Sequence, residues 1–204
     1  TELQKQLITH KVFDEKKVLF LPDPIIEMKN FRNIILKEKK LNIFKEKKYF
    51  IAVGRLTKQK NFSYLIDEFS FFLEKYSNYN LFIFGEGEER SLLEKMINKK
   101  KLNKNIFLMG FNDEIYSYMK GAQAFILSSL WEDPGFVLIE SALCNLFILS
   151  SDCKNGPSEF LQNGQGGILY SSNKKNELRK TLNKFEKMSN DEINSMKLTA
   201  KKKL

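Results

Sequence analysis

From Tyr49 onward the chain alternates short, almost wholly apolar runs with longer amphipathic stretches, and few folds accommodate that order. The run at 49–53 (YFIAV) has no charged position, as expected of a strand covered on both faces. Residues 61–75 then place Phe62, Leu65, Ile66, Phe69, Phe72 and Leu73 at helical spacing, which predicts one buried helix stripe. Residues 81–84 (LFIF) predict the next strand, and 88–100 a helix burying Leu92, Leu93, Met96 and Ile97. The same reading gives strands at 106–109, 124–127, 147–150 and 168–170. The intervening helices are placed near 113–119, from about Pro134 to Leu143, at Gly156-Pro157-Ser158-Glu159 and at 173–187. Strands separated by helices throughout predict an α/β fold, a Rossmann-like parallel sheet with helices on both faces.

The first 45 residues break this rhythm. A strand-like run at 18–21 ends in Pro22-Asp23-Pro24, a rigid extended connector, and a lysine-rich stretch at 37–48 leads into the first sheet strand. We read 1–45 as a linker or remnant of an upstream domain and 46–204 as the Rossmann-like domain. The chain starts at Thr1 and stops at Lys201-Lys202-Lys203-Leu204 without a capping signal, so truncation at both ends is expected.

A net charge of +9 raises the question of nucleic acid or an anionic surface. The excess is nearly all lysine, whereas arginine, the better base and phosphate reader, occurs only at Arg32, Arg55, Arg90 and Arg179. No nucleic-acid partner is expected. The single histidine, His10, excludes a histidine-based triad, and Cys144 and Cys153 have no metal-ligand spacing and read as buried thiols of a cytosolic protein. The longest apolar stretch, 136–149, is broken by Glu140 and Asn145 and falls short of the roughly 20 residues of a spanning helix.

In open parallel sheets ligands bind at the carboxyl ends of strands, beside helix N-termini. Directly after YFIAV, Gly54-Arg55-Leu56-Thr57-Lys58-Gln59-Lys60 offers a sharp turn and two cations, a guanidinium fork and an ammonium suited to a diphosphate. After LFIF, Gly85-Glu86-Gly87-Glu88-Glu89-Arg90 has the first two glycines of a dinucleotide fingerprint but an arginine at the third, with acidic residues that repel a pyrophosphate. It reads instead as a tight turn bordering the ligand. The third segment is Glu132-Asp133-Pro134-Gly135-Phe136-Val137-Leu138-Ile139-Glu140. Pro134 favours the first helical position and Asp133 the cap, which leaves the amides of Gly135, Phe136, Val137 and Leu138 as donors to a phosphate. Glu140 falls about two turns into that helix, among apolar residues, where it needs either a ligand's hydroxyls or a buried lysine.

Glu132 and Glu140 form an E-x7-E element with a glycine inside it. Together with Gly54-Arg55…Lys60 upstream and Ser151-Asp152-Cys153…Gly156-Pro157-Ser158-Glu159 downstream, it resembles the donor-binding domain of retaining GT-B glycosyltransferases of family 4, most of all the bacterial enzymes of surface polysaccharide synthesis. The resemblance implies that Arg55 and Lys60 grip the donor diphosphate and that Glu132 meets hydroxyls of the transferred sugar. It also implies that Gly54 and the amides 135–138 hold the donor, that Glu140 accepts from the ribose, and that Gly110 and Phe111 lie near the base. It further implies a UDP- or GDP-linked sugar donor, no metal and no other cofactor, and a glycan or lipid-linked acceptor bound by an N-terminal domain that is missing here. The implied location is cytoplasmic, with peripheral contact at the inner face of the membrane. Family members often carry glycine after the lysine of the first turn; here it is Asn61, which suits a helix cap. The alternative reading is a non-catalytic nucleotide-binding or scaffolding domain of the same fold; a nicotinamide-dependent oxidoreductase lacks its fingerprint.

Overall fold

The apolar runs become six parallel strands in the computed structural model, which describes residues 48–132 and 135–202. They are β1 (Lys48–Val53), β2 (Tyr79–Phe84), β3 (Ile106–Gly110), β4 (Ala124–Leu127), β5 (Phe147–Ser151) and β6 (Ile168–Tyr170). The helices between and after them are α1 (Phe62–Lys75), α2 (Arg90–Lys99), α3 (Ile115–Gly121), α4 (Phe136–Leu143), α5 (Pro157–Phe160), α6 (Glu177–Phe185) and α7 (Asn190–Lys201). Every strand pair is parallel, and the order across the sheet is β3-β2-β1-β4-β5-β6.

Alternate residues of the strands feed two cores. Phe50, Ala52, Leu81, Ile83, Ile126 and Leu149 pack with the buried stripes of α1 and α6. Phe50 sits at the middle of this layer, with the rings of Phe69, Phe72 and Phe185 edge-on to it at 5.8, 5.8 and 5.7 Å. The other face is covered as well, since Tyr49, Ile51, Phe82, Phe84 and Phe125 are buried there. On that side Phe84 meets the ring of Tyr118 in α3 at 4.9 Å, and the Tyr49 hydroxyl donates to the Tyr118 carbonyl at 2.7 Å. Coverage on both faces is why the strands read as continuous apolar runs.

The element order agrees with the sequence reading, and β4 and β6 have the expected bounds. Two details differ. Leu92 is 55% exposed, because the seam of α2 runs through Leu93, Met96 and Ile97 and Leu92 falls beyond its edge. The helix expected at 173–187 begins only at Glu177, because Asn173 and Asn176 adopt left-handed backbone angles (φ 54° and 69°) that no helix continues through. The segment assigned to 1–45 lies outside the described residues.

With Asn176 unable to cap, α6 takes its cap from another helix. Glu68, buried in α1, accepts from the Asn176 amide at 3.0 Å and from the Arg179 amide at 3.2 Å, one bond on each carboxylate oxygen. A buried anion at a helix N-terminus is held there by the orphan amides it satisfies. Glu68→Ala is expected to lower unfolding free energy by about 2 kcal/mol, measured by urea denaturation, because those amides lose their acceptor in a dry site. Glu68→Gln should cost less, since its amide oxygen still accepts; equal losses would argue against a capping role.

Candidate functional site

Strand order runs outward in opposite directions from β1 and β4, and the loops leaving their carboxyl ends flank the point at which open parallel sheets bind ligands. The loop after β1 carries Gly54, Arg55 and Lys60; the loop after β4 runs from Ser128 to Gly135. Main-chain and side-chain bonds stitch the two loops together. The Leu130 amide donates to the Gln59 carbonyl at 2.8 Å, Gln59 Nε2 to the Trp131 carbonyl at 2.9 Å, and Ser128 Oγ to the Lys60 carbonyl at 2.7 Å. The loop after β5 joins through the Glu132 amide, which donates to the Lys154 carbonyl at 3.2 Å.

At the centre of this seam the Lys60 ammonium lies 2.6 Å from Glu132 Oε1. Both side chains are largely out of solvent, at 15% and 3% exposure, so the charges are strongly coupled. Gly54 makes room for the lysine stem: a Cβ there would stand 3.0 Å from Lys60 Cε. Ser129 Oγ donates to the same Glu132 oxygen, and the Ser129 carbonyl in turn accepts from Ser151 Oγ at 2.8 Å and Ser172 Oγ at 3.0 Å. Glu132 Oε2 takes no donor among the described residues.

Arg55 is exposed and has no ion pair or hydrogen bond to its guanidinium among the described residues. The two cations expected to share one task are therefore unlike: Lys60 is engaged with Glu132, while Arg55 faces outward. The glycines of the second turn serve packing. A Cβ on Gly85 would stand 2.0 Å from the Gly54 carbonyl oxygen and one on Gly87 would stand 2.4 Å from that of Leu56, so only glycine lets the two loops close on each other. Arg90 is held by Glu86 at 2.9 Å and Glu94 at 3.0 Å. Gly110 ends β3 beside Glu86, and Phe111 follows it at the same carboxyl edge, 81% exposed.

The third segment departs from expectation. Helix α4 starts at Phe136 rather than near Pro134, with Gly135 as its N-cap in a left-handed conformation (φ 73°, ψ 44°) that ends helical geometry on that side. Asp133 and Pro134 lie outside the described residues. The Leu138 amide already donates to the Gly135 carbonyl at 2.9 Å, so of the expected donors it is engaged; those of Phe136 and Val137 have no acceptor among the described residues. Because the helix begins later, Glu140 is its fifth residue, little more than one turn in rather than two. Among the described residues its partner is no lysine: the Tyr116 hydroxyl of α3 donates to Glu140 Oε1 over a long 3.4 Å. Burial raises the Glu140 pKa above the ordinary 4.5, and the tyrosine bond offsets only part of that. Asn61 does occupy the N-cap of α1, but without a side-chain cap bond; it adopts the left-handed angles (φ 54°, ψ 42°) that a glycine would, and its amide reaches Asn173 Oδ1 at 3.2 Å.

Cys144 and Cys153 are both buried free thiols, and burial pushes their pKa values up to about 12 and about 11, which keeps them protonated and unreactive near neutrality. Sequence reading missed Ser129, Ser172 and Tyr116, and quoted Ser151 without giving its side chain a role. Only Ser129, three residues before Glu132 in a polar turn after an apolar strand, left a usable signal.

Comparison with known proteins bears on this arrangement. The family model described as "Glycosyl transferases group 1" matches residues 33–203. An uncharacterized glycosyltransferase of Methanocaldococcus jannaschii is 37% identical over 164 residues, covering 79% of this chain and 40% of the relative. The Campylobacter jejuni N-acetylgalactosamine-N,N'-diacetylbacillosaminyl-diphospho-undecaprenol 4-alpha-N-acetylgalactosaminyltransferase is 30% identical over 157 residues, covering 76% of this chain and 42% of the relative. The chain thus spans about two fifths of the length of these curated relatives. Among solved structures, a point mutant of Staphylococcus aureus TarM in complex with fondaparinux, alpha-GlcNAc-glycerol and UDP superposes with a TM-score of 0.73 at 21% identity, over 100% of this chain and 39% of that one. The sheet and its helices are those of a GT-B glycosyltransferase half.

Removing one member of the Lys60–Glu132 pair leaves a buried charge unmatched. Lys60→Met is expected to cost about 3 kcal/mol in urea unfolding, and adding Glu132→Gln should recover a large part of it; additive losses would show that the pair is uncoupled. Glu140 has a separate signature. Its raised pKa means that the folded state holds this proton more tightly than the unfolded chain, so its contribution to stability is full below about pH 4.5 and is lost as pH rises through the folded value. Glu140→Gln should therefore gain stability over the parent at pH 7 and lose that advantage by pH 4. A difference independent of pH would show that the carboxyl is not strained.

Proposed function

The chain belongs to the glycosyl transferases group 1 family, and on that premise we propose that it is the donor-binding half of an enzyme that moves a sugar from a nucleoside diphosphate sugar to a glycan or lipid-linked acceptor. The observation that carries this reading is the Lys60–Glu132 pair, which joins the two loops leaving the sheet where strand order reverses, with an exposed Arg55 on the first of those loops. Arg55 suits the diphosphate: a guanidinium fork binds two phosphate oxygens at once, and no other side chain competes for it among the described residues. The Lys60 ammonium has three N–H donors, so it can keep Glu132 while reaching a phosphate. As the glycosidic bond breaks, charge gathers on the departing diphosphate, and fixed cations in a partly dry crevice lower the barrier.

Glu132, with Oε1 held and Oε2 open, suits a hydroxyl of the transferred sugar. The Phe136 and Val137 amides suit its phosphate side, Glu140 the ribose hydroxyls, and Gly110 and Phe111 the base, with the exposed Phe111 ring as a stacking surface. We further assign the enzyme to family 4, with retention of anomeric configuration and with the two cations in place of a metal. The UDP named in the TarM complex supports a nucleotide-linked donor, and the Campylobacter relative, whose name specifies a diphospho-undecaprenol substrate, supports a lipid-linked acceptor. Among the described residues no helix is long and apolar enough to cross a membrane, and a cytoplasmic domain touching the inner membrane surface through its lysines fits such an acceptor.

Isothermal titration of the intact polypeptide with UDP, GDP and their sugars tests the reading. Arg55→Ala is expected to weaken nucleoside diphosphate binding by about ten-fold or more, the equivalent of one lost charge-assisted contact. Binding of none of these compounds by the parent chain would falsify it.

A further inference from the structure

Glu132 is gripped in a lopsided way. Its two protein donors, Lys60 Nζ and Ser129 Oγ, converge on Oε1, and Oε2 has none among the described residues. A carboxylate facing a single ammonium gains by turning so that both oxygens share the charge. Lys60 alone would therefore leave the plane of Glu132 free to swing and Oε2 free to turn inward. A second donor on Oε1, arriving from a different element, removes that freedom.

Ser129 is well built to be that donor. It is fully buried, and its backbone is tied independently of its side chain: the carbonyl accepts hydroxyl bonds from Ser151 at the end of β5 and from Ser172 just after β6. The position of the Ser129 hydroxyl is thus set by three neighbouring strands, while Lys60, on a flexible stem, comes from the far loop. Lys60 is also the member of the pair that a diphosphate would draw away. When it shares its protons with a phosphate, Ser129 still holds the carboxylate.

Resting on the donor-binding reading above, we infer that Ser129 is a positioning residue that orients Glu132, keeping Oε2 turned toward the sugar hydroxyl while Lys60 divides its hydrogen bonds between Glu132 and the donor phosphate. The role is to aim, not to bind: Ser129 touches no ligand, and its loss should leave the nucleotide's contacts intact.

The test compares the intact polypeptide with Ser129→Ala and with Ser129→Cys, an isosteric but weaker donor. UDP and GDP affinities are read by titration, thermal unfolding checks the fold, and nucleotide release is followed from UDP-glucose, UDP-N-acetylglucosamine and GDP-mannose. Ser129→Ala should bind the bare nucleotide within about two-fold of the parent, as expected for a residue that makes no ground-state contact with it. Its nucleotide release from the sugar donor should fall by on the order of ten-fold, the scale of a misplaced reacting group, with Ser129→Cys between the two. Parent-like release in Ser129→Ala overturns the inference, and so does a parallel loss of UDP affinity and melting temperature, which marks a merely structural serine. If the parent chain neither binds these nucleotides nor releases them from any donor, the donor-binding reading fails and takes this inference with it. Unchanged nucleotide binding with unchanged release in Ser129→Ala removes the positioning role alone.

Discussion

A single ion pair, Lys60 to Glu132 at 2.6 Å, connects the two loops that leave the sheet where its strand order reverses. Partly dry charge pairs are expensive to assemble and more expensive to break, so this one is weak as a stabiliser but strong as a constraint on geometry. It forces the loop after β1 and the loop after β4 into one register, and the surrounding bonds from Leu130, Gln59 and Ser128 confirm that register with neutral partners. The glycines at 85 and 87 follow from the same requirement. They yield the space into which the first loop must drop for Lys60 to arrive where it does.

The fold was legible because burial on both faces of the sheet writes itself as uninterrupted apolar runs. YFIAV and LFIF could hardly be anything else, and the stripe from Phe62 to Leu73 is buried throughout. Helix starts were harder to read. The onset of α4 at Phe136 and of α6 at Glu177 is set by Gly135 and Asn176 in left-handed conformations, and a residue's sign of φ is not visible in its identity. Neither is a cap supplied from a distant helix, as Glu68 supplies one to α6. Within the site, residues marked by unusual chemistry for their surroundings stood out: an arginine in an arginine-poor chain, a glutamate in an apolar helix. Ser151 and Ser172 did not, because what matters about them is the carbonyl they reach, and serine in a strand end is unremarkable.

The described site contains two kinds of carboxylate. Glu132 has its counter-charge beside it and a second donor on the same oxygen. Glu140 is drawn out of water by its helix, meets only a long bond from Tyr116 among the described residues, and has its proton affinity raised as a result of burial. A folded protein that carries an under-supported acceptor in this way has left a gap in its polar satisfaction, and such gaps gather where a ligand completes them. On the proposed reading the contrast separates the roles: Glu132 would be held before any ligand arrives, and Glu140 would gain its partners from one.

Charge explains why the assembly needs Arg55 as well. With Lys60 set against Glu132, the centre of the crevice is close to neutral, and a diphosphate approaching a neutral centre loses its hydration without a matching gain. Arg55 supplies that gain from outside the pair, at an exposed position where its own desolvation costs little before contact. Its fork can take the first phosphate oxygens while Lys60 is still on Glu132, and the ammonium's remaining protons then become worth more as water leaves. Under the proposed donor-binding role, the order of engagement would follow from which cation is free among the described residues: the arginine would capture, the lysine bridge, and the glutamate, steadied by a serine, keep its second oxygen for the sugar.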